Sequence, residues 1–199
     1  IDSTTPDCIE AALKIHPGRC LVNSVNLEDG GKNLDRVCRL AKTYGAAVIA
    51  LTIHEKGMAM TVEEKVATAR AIHDLAVGRY GLRPADLLFD VLTFTIGAGD
   101  ETLVDAAANT LAAIRRVKEE LPGVSTLLGV SNVSFGLSPA SRRVLNSVFL
   151  HEAVAAGLDA AIIDAGKVLP MSKIPESDRE VCLDLIYDRG ADALERYIG

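Results

Sequence analysis

The sequence predicts an α/β protein built on a parallel β-sheet. Short, nearly continuous apolar runs alternate with longer segments that have helical periodicity. Continuous apolar runs are typical of parallel strands that are buried on both faces, and strand–helix alternation is typical of a parallel sheet with helical crossovers. The predicted strands are Cys20–Val25, Ala46–Thr52, Leu87–Val91, Thr126–Val130 and Ala160–Ile163.

The segments between these strands carry recognisable helix ends. Thr61 and Glu64 fit a capping box, which predicts a helix that ends near Gly81. Two further helices are predicted over Asn33–Tyr44 and from about residue 140 to 157. Glycines at both of their ends suit a left-handed C-cap. Thr5 is expected to cap the helix that begins at Pro6.

A barrel and a doubly wound sheet both fit this alternation. A dinucleotide-binding sheet should carry G-x-G-x-x-G directly after a strand. The nearest approach, Gly97-Ala98-Gly99, lacks the third glycine and follows Asp90 only after six residues. A helical apolar stripe from Leu103 to Leu121 then provides a further crossover. We therefore predict a (β/α)8 TIM-barrel-like domain.

Strand counting predicts that this barrel is incomplete. Five strands are whole and Ile1–Asp2 has the character of the end of a sixth, whereas a closed barrel has eight strands in about 250 residues. We expect an N-terminal truncation, with residues 1–170 forming the C-terminal portion of the barrel. Residues 171–199 are expected to form a helical cap and the exit toward the next module. Exposed sheet edges predict that these 199 residues alone bind a ligand weakly or not at all.

Composition excludes several classes of function. A net charge of -6 argues against non-specific nucleic-acid binding, and apolar runs such as Ala46–Leu51 are too short to span a membrane. The N-terminal residues lack the pattern of a signal peptide. No histidine or cysteine spacing predicts a metal site. The cysteines indicate free thiols in a reducing cytoplasm: Cys8, Cys20, Cys38 and Cys182.

Small polar or acidic residues stand where the predicted strands end. In a parallel barrel the loops at these ends form the active site, although any single residue could equally cap a helix. The central members include no lysine or arginine, which favours a neutral, donor-rich heterocycle over a phosphate. The strand-end residues are Asp2-Ser3-Thr4, Asn23-Ser24, His54-Glu55, Asp90, Ser131-Asn132 and Asp164.

Several segments resemble the pterin-binding barrels of cobalamin-dependent methionine synthases. The run G-V-S-N-V-S-F at Gly129–Phe135 is the most specific. The resemblance implies binding of 5-methyltetrahydrofolate and support for transfer of its N5 methyl group to cob(I)alamin, for methionine synthesis from homocysteine. The other similar segments are Ile1–Ser3, Leu21–Val25, Leu88–Asp90, Leu145–His151 and Ala156–Asp159.

The resemblance also assigns site residues by position. It implies that the pterin ring is held by Asp2, Asn23 and Asp90. It implies a pocket wall at Gly129 and Ser131, and it gives Asn132, near N5, the catalytic role. Cobalamin is expected from another module of the same parent protein, as is the zinc ion for homocysteine, with no metal in this chain.

The sequence departs from the family pattern in places. Val91 stands where the family commonly has proline, so the turn after Asp90 is expected to be less rigid. Asp164 adds negative charge at the last strand end, and His54–Lys56 replaces an acidic run. Candidates to meet the glutamate tail of folate are Lys56, Arg142 and Lys167.

Three alternatives stay open. A methyltetrahydrofolate:corrinoid protein methyltransferase should end soon after the last strand, without the long helical stretch Met171–Ile198. A dihydropteroate synthase should carry a basic R-x-H-like segment at the last strand, where this chain has Ile162–Gly166. The non-enzymatic alternative is an inactive barrel fragment.

Overall fold

The computed structural model describes residues 1–199 as strands alternating with helices. The strands are β1 (Leu21–Val25), β2 (Ala47–Leu51), β3 (Ile53–His54), β4 (Gly57–Met58), β5 (Leu87–Asp90), β6 (Ser125–Gly129) and β7 (Ala160–Ile162). The α-helices are α1 (Pro6–Ile15), α2 (Lys32–Tyr44), α3 (Val62–His73), α4 (Ala106–Glu120), α5 (Pro139–Ala156), α6 (Glu176–Ile186) and α7 (Ala193–Ile198). Short 3-10 helices lie at Pro84–Asp86, Glu101–Leu103, Val130–Ser134, Ala165–Lys167 and Met171–Lys173.

Five strands form one sheet in the order β1-β2-β5-β6-β7. The pairs β1–β2, β2–β5 and β5–β6 are all parallel. Every predicted strand is present to within one residue at either end, and the α/β class with a parallel sheet is confirmed. Asp2 forms an isolated parallel bridge with Asn23, so the first residues lie beside β1 as a neighbouring strand would.

The chain divides into two compact units. The first unit comprises residues 1–92 and 116–127, and the second comprises residues 93–115 and 128–199. The proposed boundary at residue 170 stays a prediction.

The first unit is built around apolar strands. Val22, Val48, Leu87 and Phe89 are fully buried, because parallel strands covered on both faces are apolar at nearly every position. The capping box at Thr61 is confirmed, since its hydroxyl accepts the Glu64 N–H at 3.2 Å. Helix α3 continues into a π-helix that ends two residues before Gly81.

One local prediction fails in this unit, and one element was not predicted. Thr5 stands at the N-cap of α1, but its side chain makes no capping hydrogen bond; instead its N–H donates to the Ser3 hydroxyl at 3.1 Å. The segment after β2 folds into a small antiparallel hairpin, β3–β4. Strand-length patterning does not reveal two-residue strands.

The second unit consists mainly of helices. Ser138 caps α5 by accepting the Ser141 N–H, and Gly157 ends it with a left-handed φ of 109°. Helices α6 and α7 account for the predicted helical stretch near the C-terminus.

Three cysteines of the chain are buried, Cys20, Cys38 and Cys182, while Cys8 is exposed. None of the helices has the length and apolarity needed to cross a membrane.

Candidate functional site

Asp2 and Asn23 form a hydrogen-bonded pair in the first unit. The Asn23 N–H donates to the Ile1 carbonyl at 2.8 Å, and the Ser3 N–H donates to the Asn23 carbonyl at 3.1 Å. The Asn23 side-chain amide also donates to Asp2 Oδ1 at 3.3 Å. Asp2 is exposed and Asn23 is half-buried. The pair therefore presents a carboxylate and a carboxamide side by side.

Asp90 is the last residue of β5 and is half-buried. Its main-chain carbonyl accepts the Thr52 N–H at 3.0 Å. Its Oδ1 accepts the Leu92 N–H at 2.8 Å, and Leu92 holds a left-handed φ of 64°. Burial raises the pKa of Asp90 to about 6, against the Leu92 hydrogen bond and the charge of Lys65, which both lower it.

Asn23 and Asp90 lie on strands separated only by β2. Asn23 pairs with Ile49, and Asp90 pairs with Leu51 two residues further along the same strand. Since neighbouring strands are about 4.8 Å apart and a strand rises about 3.3 Å per residue, the two residues lie roughly 12 Å apart on the sheet. The first unit thus brings together three predicted site residues toward the carboxyl ends of its strands.

Lys65 of α3 is a charged residue of this region that the sequence analysis missed. Its side chain is fully buried, and its ammonium donates to the carbonyl oxygens of Val91 and Leu92. Burial lowers the pKa of Lys65 to about 8, against the raising effect of Asp90 and Glu64. Helical spacing does place Lys65 on the same stripe as Val66, Ala69 and Ile72, which was the available signal.

Gly129, Ser131 and Asn132 lie together in the second unit. Gly129 ends β6, and the other two belong to the 3-10 helix Val130–Ser134. Asn132 is exposed, and its carbonyl accepts the Phe135 N–H at 3.2 Å. A Cβ atom on Gly129 would lie 3.1 Å from the Asn132 side-chain nitrogen. Glycine at this position therefore leaves room for the Asn132 amide.

Arg142 of α5 ties this turn to the helix that follows it. Its Nε donates to the Ser134 hydroxyl at 3.1 Å, and one terminal nitrogen donates to the Ser131 carbonyl at 3.1 Å. The Ser134 hydroxyl in turn donates to the Ser131 carbonyl at 3.2 Å. A guanidinium with several fixed donors suits this task, because it can bond two acceptors of one turn at once.

The basic candidates for the folate tail, and His54 and Glu55 at the second strand end, line two pockets. In the second unit, Ser131, Arg142, Arg143 and Lys167 line a pocket of about 660 Å³. In the first unit, Lys56 lines a separate pocket of about 500 Å³ together with His54, Glu55 and Glu64. The first of these pockets has three cationic side chains next to a predicted site residue.

The negative charge that Asp164 adds at the last strand end is partly neutralised by its partners in the structure. It accepts the Gly166 N–H at 3.1 Å and pairs with Lys167 at 3.0 Å. The Lys167 ammonium lowers the pKa of Asp164. No group of three or more histidine, cysteine, aspartate or glutamate side chains could hold a metal ion.

Comparison with known proteins gives one family. The family model described as pterin binding enzyme matches residues 1–164. The chain therefore belongs to the pterin-binding enzyme family.

Methionine synthases are among its relatives. The chain is 48% identical over 192 residues to the methionine synthase of Mycobacterium tuberculosis (strain ATCC 25618 / H37Rv), which covers 95% of the chain and 16% of that relative. It is 46% identical over 202 residues to the methionine synthase of Mycobacterium leprae (strain TN), covering 98% of the chain and 17% of that relative. The chain thus spans about a sixth of the length of either relative, and the predicted resemblance to methionine synthases is confirmed.

Proposed function

We propose that this chain binds 5-methyltetrahydrofolate in a methyltransferase of methionine biosynthesis and supports transfer of its N5 methyl group to cob(I)alamin. The observation that carries the proposal is the placement of Asp90 and of the Asp2–Asn23 pair on either side of β2, toward the carboxyl ends of the strands, in a chain of the pterin-binding family. The methionine synthases among its relatives support the reaction.

Asp90 is proposed to hold the pterin ring by accepting its adjacent amino and ring N–H donors. A carboxylate accepts two parallel N–H bonds, and such charge-assisted bonds are stronger where water is excluded. Because its pKa is raised only to about 6, Asp90 is ionised at pH 7 and above. Asp2 and Asn23 are proposed to bond other polar atoms of the same ring.

Asn132 is proposed to act at N5, with Gly129 and Ser131 forming the wall beside it. Cobalamin, held by another module, would supply the nucleophile that accepts the methyl group. In this chain Asn132 would hydrogen-bond N5, which keeps the bonding pair when the N5–methyl bond breaks and takes a proton from solvent. A neutral tertiary amine leaves poorly, so hydrogen bonding at N5 assists the step. An amide suits this because it can donate to N5 before protonation and accept from N5–H afterwards.

The rest of the reaction is assigned to other parts of the parent protein. Cobalamin is proposed to come from a separate module, and a zinc ion for homocysteine from another. The pocket with Arg142, Arg143 and Lys167 is a candidate for the anionic glutamate tail of folate. The buried thiols of Cys20, Cys38 and Cys182 support a cytoplasmic location, where thiols stay reduced.

The test uses the full-length protein. Titration calorimetry with 5-methyltetrahydrofolate is expected to give saturable binding. A single turnover with cob(I)alamin, followed by absorbance, is expected to give methylcobalamin. Condensation of a dihydropterin pyrophosphate with p-aminobenzoate, in the absence of methyl transfer, would show dihydropteroate synthesis and contradict the proposal. Methyl transfer only to a separate corrinoid protein would contradict the methionine-synthase assignment.

A further inference from the structure

The buried ammonium of Lys65 requires a physical explanation. An ammonium group out of water is costly unless it is hydrogen-bonded, and Lys65 is fully buried. Its bonds go to the carbonyls of Val91 and Leu92, the latter at 3.2 Å. These are the two residues that directly follow Asp90. The lysine therefore bonds to the turn that carries the proposed pterin ligand.

The turn links the lysine to the carboxylate. Leu92 adopts a left-handed φ of 64°, which is uncommon for a residue with a side chain and is kept only where surrounding contacts hold it. In that conformation its N–H donates to Asp90 Oδ1 at 2.8 Å. Val91 cannot fix the backbone as proline would, so the bonds from Lys65 take part in holding the turn closed.

Lys65 also acts on Asp90 through its charge. Asp90 of β5 and Glu64 of α3 are the acidic groups that favour the charged form of Lys65. In return, Lys65 is the charged group that favours the ionised form of Asp90 against its burial. Removing the ammonium would take away a charge that favours the ionised form of this half-buried carboxylate, so its protonation becomes easier.

We propose that Lys65 is a positioning residue for folate binding: bonded to the carbonyls of Val91 and Leu92, it holds the turn in which Asp90 presents its carboxylate to the pterin. This inference rests on the proposed contact between Asp90 and the pterin. It gives α3, which contributes no predicted ligand of its own, a role in binding.

The test compares Lys65→Gln and Lys65→Arg with a matched control, Lys42→Gln. Lys42 also donates to a backbone carbonyl, that of Gly81, but it is exposed. In the full-length protein at pH 7.5, Lys65→Gln is expected to weaken 5-methyltetrahydrofolate binding by about 10-fold, the effect of disturbing a charge-assisted contact. Lys65→Arg should restore part of the loss, and Lys42→Gln should bind as the wild type does.

The pH dependence separates positioning from general support of the fold. In the wild type, affinity should rise as Asp90 ionises through pH about 6. In Lys65→Gln the midpoint of this rise should move to higher pH, because the cation that favours the carboxylate is gone. An unchanged midpoint, or unchanged affinity at pH 7.5, would overturn the proposal.

A folding failure of Lys65→Gln leaves a second route. Lys65→Arg is then combined with Asp90→Asn in a double-mutant cycle. If Lys65→Arg lowers the affinity in the wild-type background but not in the Asp90→Asn background, Lys65 acts through Asp90. Equal losses from Lys65→Arg in both backgrounds would overturn the proposal. A wild-type protein that binds no folate, or an Asp90→Asn variant that binds normally, would instead refute the proposed function.

Discussion

Two aspartates at opposite ends of β5 have opposite surroundings. Asp86, directly before the strand, is 7% exposed, and its carboxylate accepts hydrogen bonds from the Arg83 guanidinium at 2.7 and 3.0 Å. Arg19 bonds the same carboxylate. The hydrogen bonds from Arg83 lower the pKa of Asp86. Asp90, the last residue of the strand, has no guanidinium partner in this arrangement, and burial raises its pKa to about 6.

Under the proposed function, the difference is that between a stabilising acid and a ligand-binding one. The arginines satisfy the oxygens of Asp86 within the fold. The carboxylate of Asp90 keeps acceptor capacity beyond the Leu92 bond. In parallel α/β barrels the carboxyl ends of strands carry function and the amino ends carry stability. Under the proposed function, Asp86 before β5 and Asp90 at its end follow this rule.

The largest expected effect is on folate binding. Asp90→Asn replaces a bidentate anionic acceptor by an amide that can accept only one of the two pterin donors, so affinity should fall about 100-fold. Asp86→Asn, the matched control at the other end of β5, should leave affinity within about 2-fold of the wild type. Calorimetry of both variants checks this. A similar loss in both would erase the distinction between the two ends.

Asn132→Ala extends the comparison from binding to chemistry. Loss of the proposed hydrogen bond at N5 should slow single-turnover methyl transfer about 30-fold, somewhat less than the roughly 100-fold or more that removal of an oxyanion-hole donor costs. Folate affinity should change by less than about 3-fold, since the ring is proposed to be held mainly at Asp90. Asn109→Ala, on α4 of the same unit, serves as a control. Equal losses of rate and affinity would make Asn132 a binding residue only.

The stability effects of the two aspartates should have opposite sign. The lowered pKa of Asp86 gives stability that is present above pH 3.8 and lost as pH falls through the folded value. The raised pKa of Asp90 gives a contribution that is favourable below pH 3.8 and lost as pH rises through about 6. At pH 8, Asp86→Asn should therefore lower the free energy of unfolding by about 1–2 kcal/mol. Asp90→Asn should raise it by about 1–2 kcal/mol, a figure that allows for the partial exposure of Asp90.

Urea unfolding of both variants at pH 4 and pH 8 measures this contrast. The increase in unfolding free energy from Asp90→Asn should disappear at pH 4, where the wild-type carboxyl is protonated in the folded protein. A gain of equal size at both pH values would show that ionisation of Asp90 is not its origin.

The smallest effect is expected from Gly129→Ala. The backbone φ of Gly129 is -78°, which alanine adopts freely. The added Cβ would lie 3.1 Å from the Asn132 side-chain nitrogen, so the amide must shift by a few tenths of an ångström. Methyl transfer should slow about 5-fold while the unfolding free energy changes by less than about 1 kcal/mol. An unchanged rate would show that the position of the Asn132 amide is not critical.

The strands, the helices and the strand-end residues were predictable from sequence because each depends on local pattern. Continuous apolar runs gave all five strands of the sheet, and Thr61 with Glu64 gave the start of α3. Asp2, Asn23 and Asp90 were singled out as candidates because polar residues close the predicted strands, and their assignment to the pterin ring came from the family resemblance.

The supporting contacts were not predictable because they join residues distant in sequence. Lys65 reaches carbonyls 26 and 27 residues away, and Arg19 reaches Asp86 across 67 residues. The flexible stem of a lysine usually lets its ammonium reach solvent even when the residue lies on an apolar stripe. The burial of Lys65 could therefore be predicted only from the turn to which its ammonium donates. Likewise, whether Arg142 faces a ligand or a turn depends on the fold of Val130–Ser134.

The measurement that tests this account most directly is folate affinity against pH in the wild type and in Asp90→Asn. With the pKa of Asp90 at about 6, the ionised fraction rises about 10-fold between pH 5 and pH 7.5. Wild-type affinity should rise by about that factor, while the affinity of Asp90→Asn should be low and follow only the titration of folate itself. The same pH profile in both proteins would contradict the claim that the Asp90 carboxylate holds the pterin.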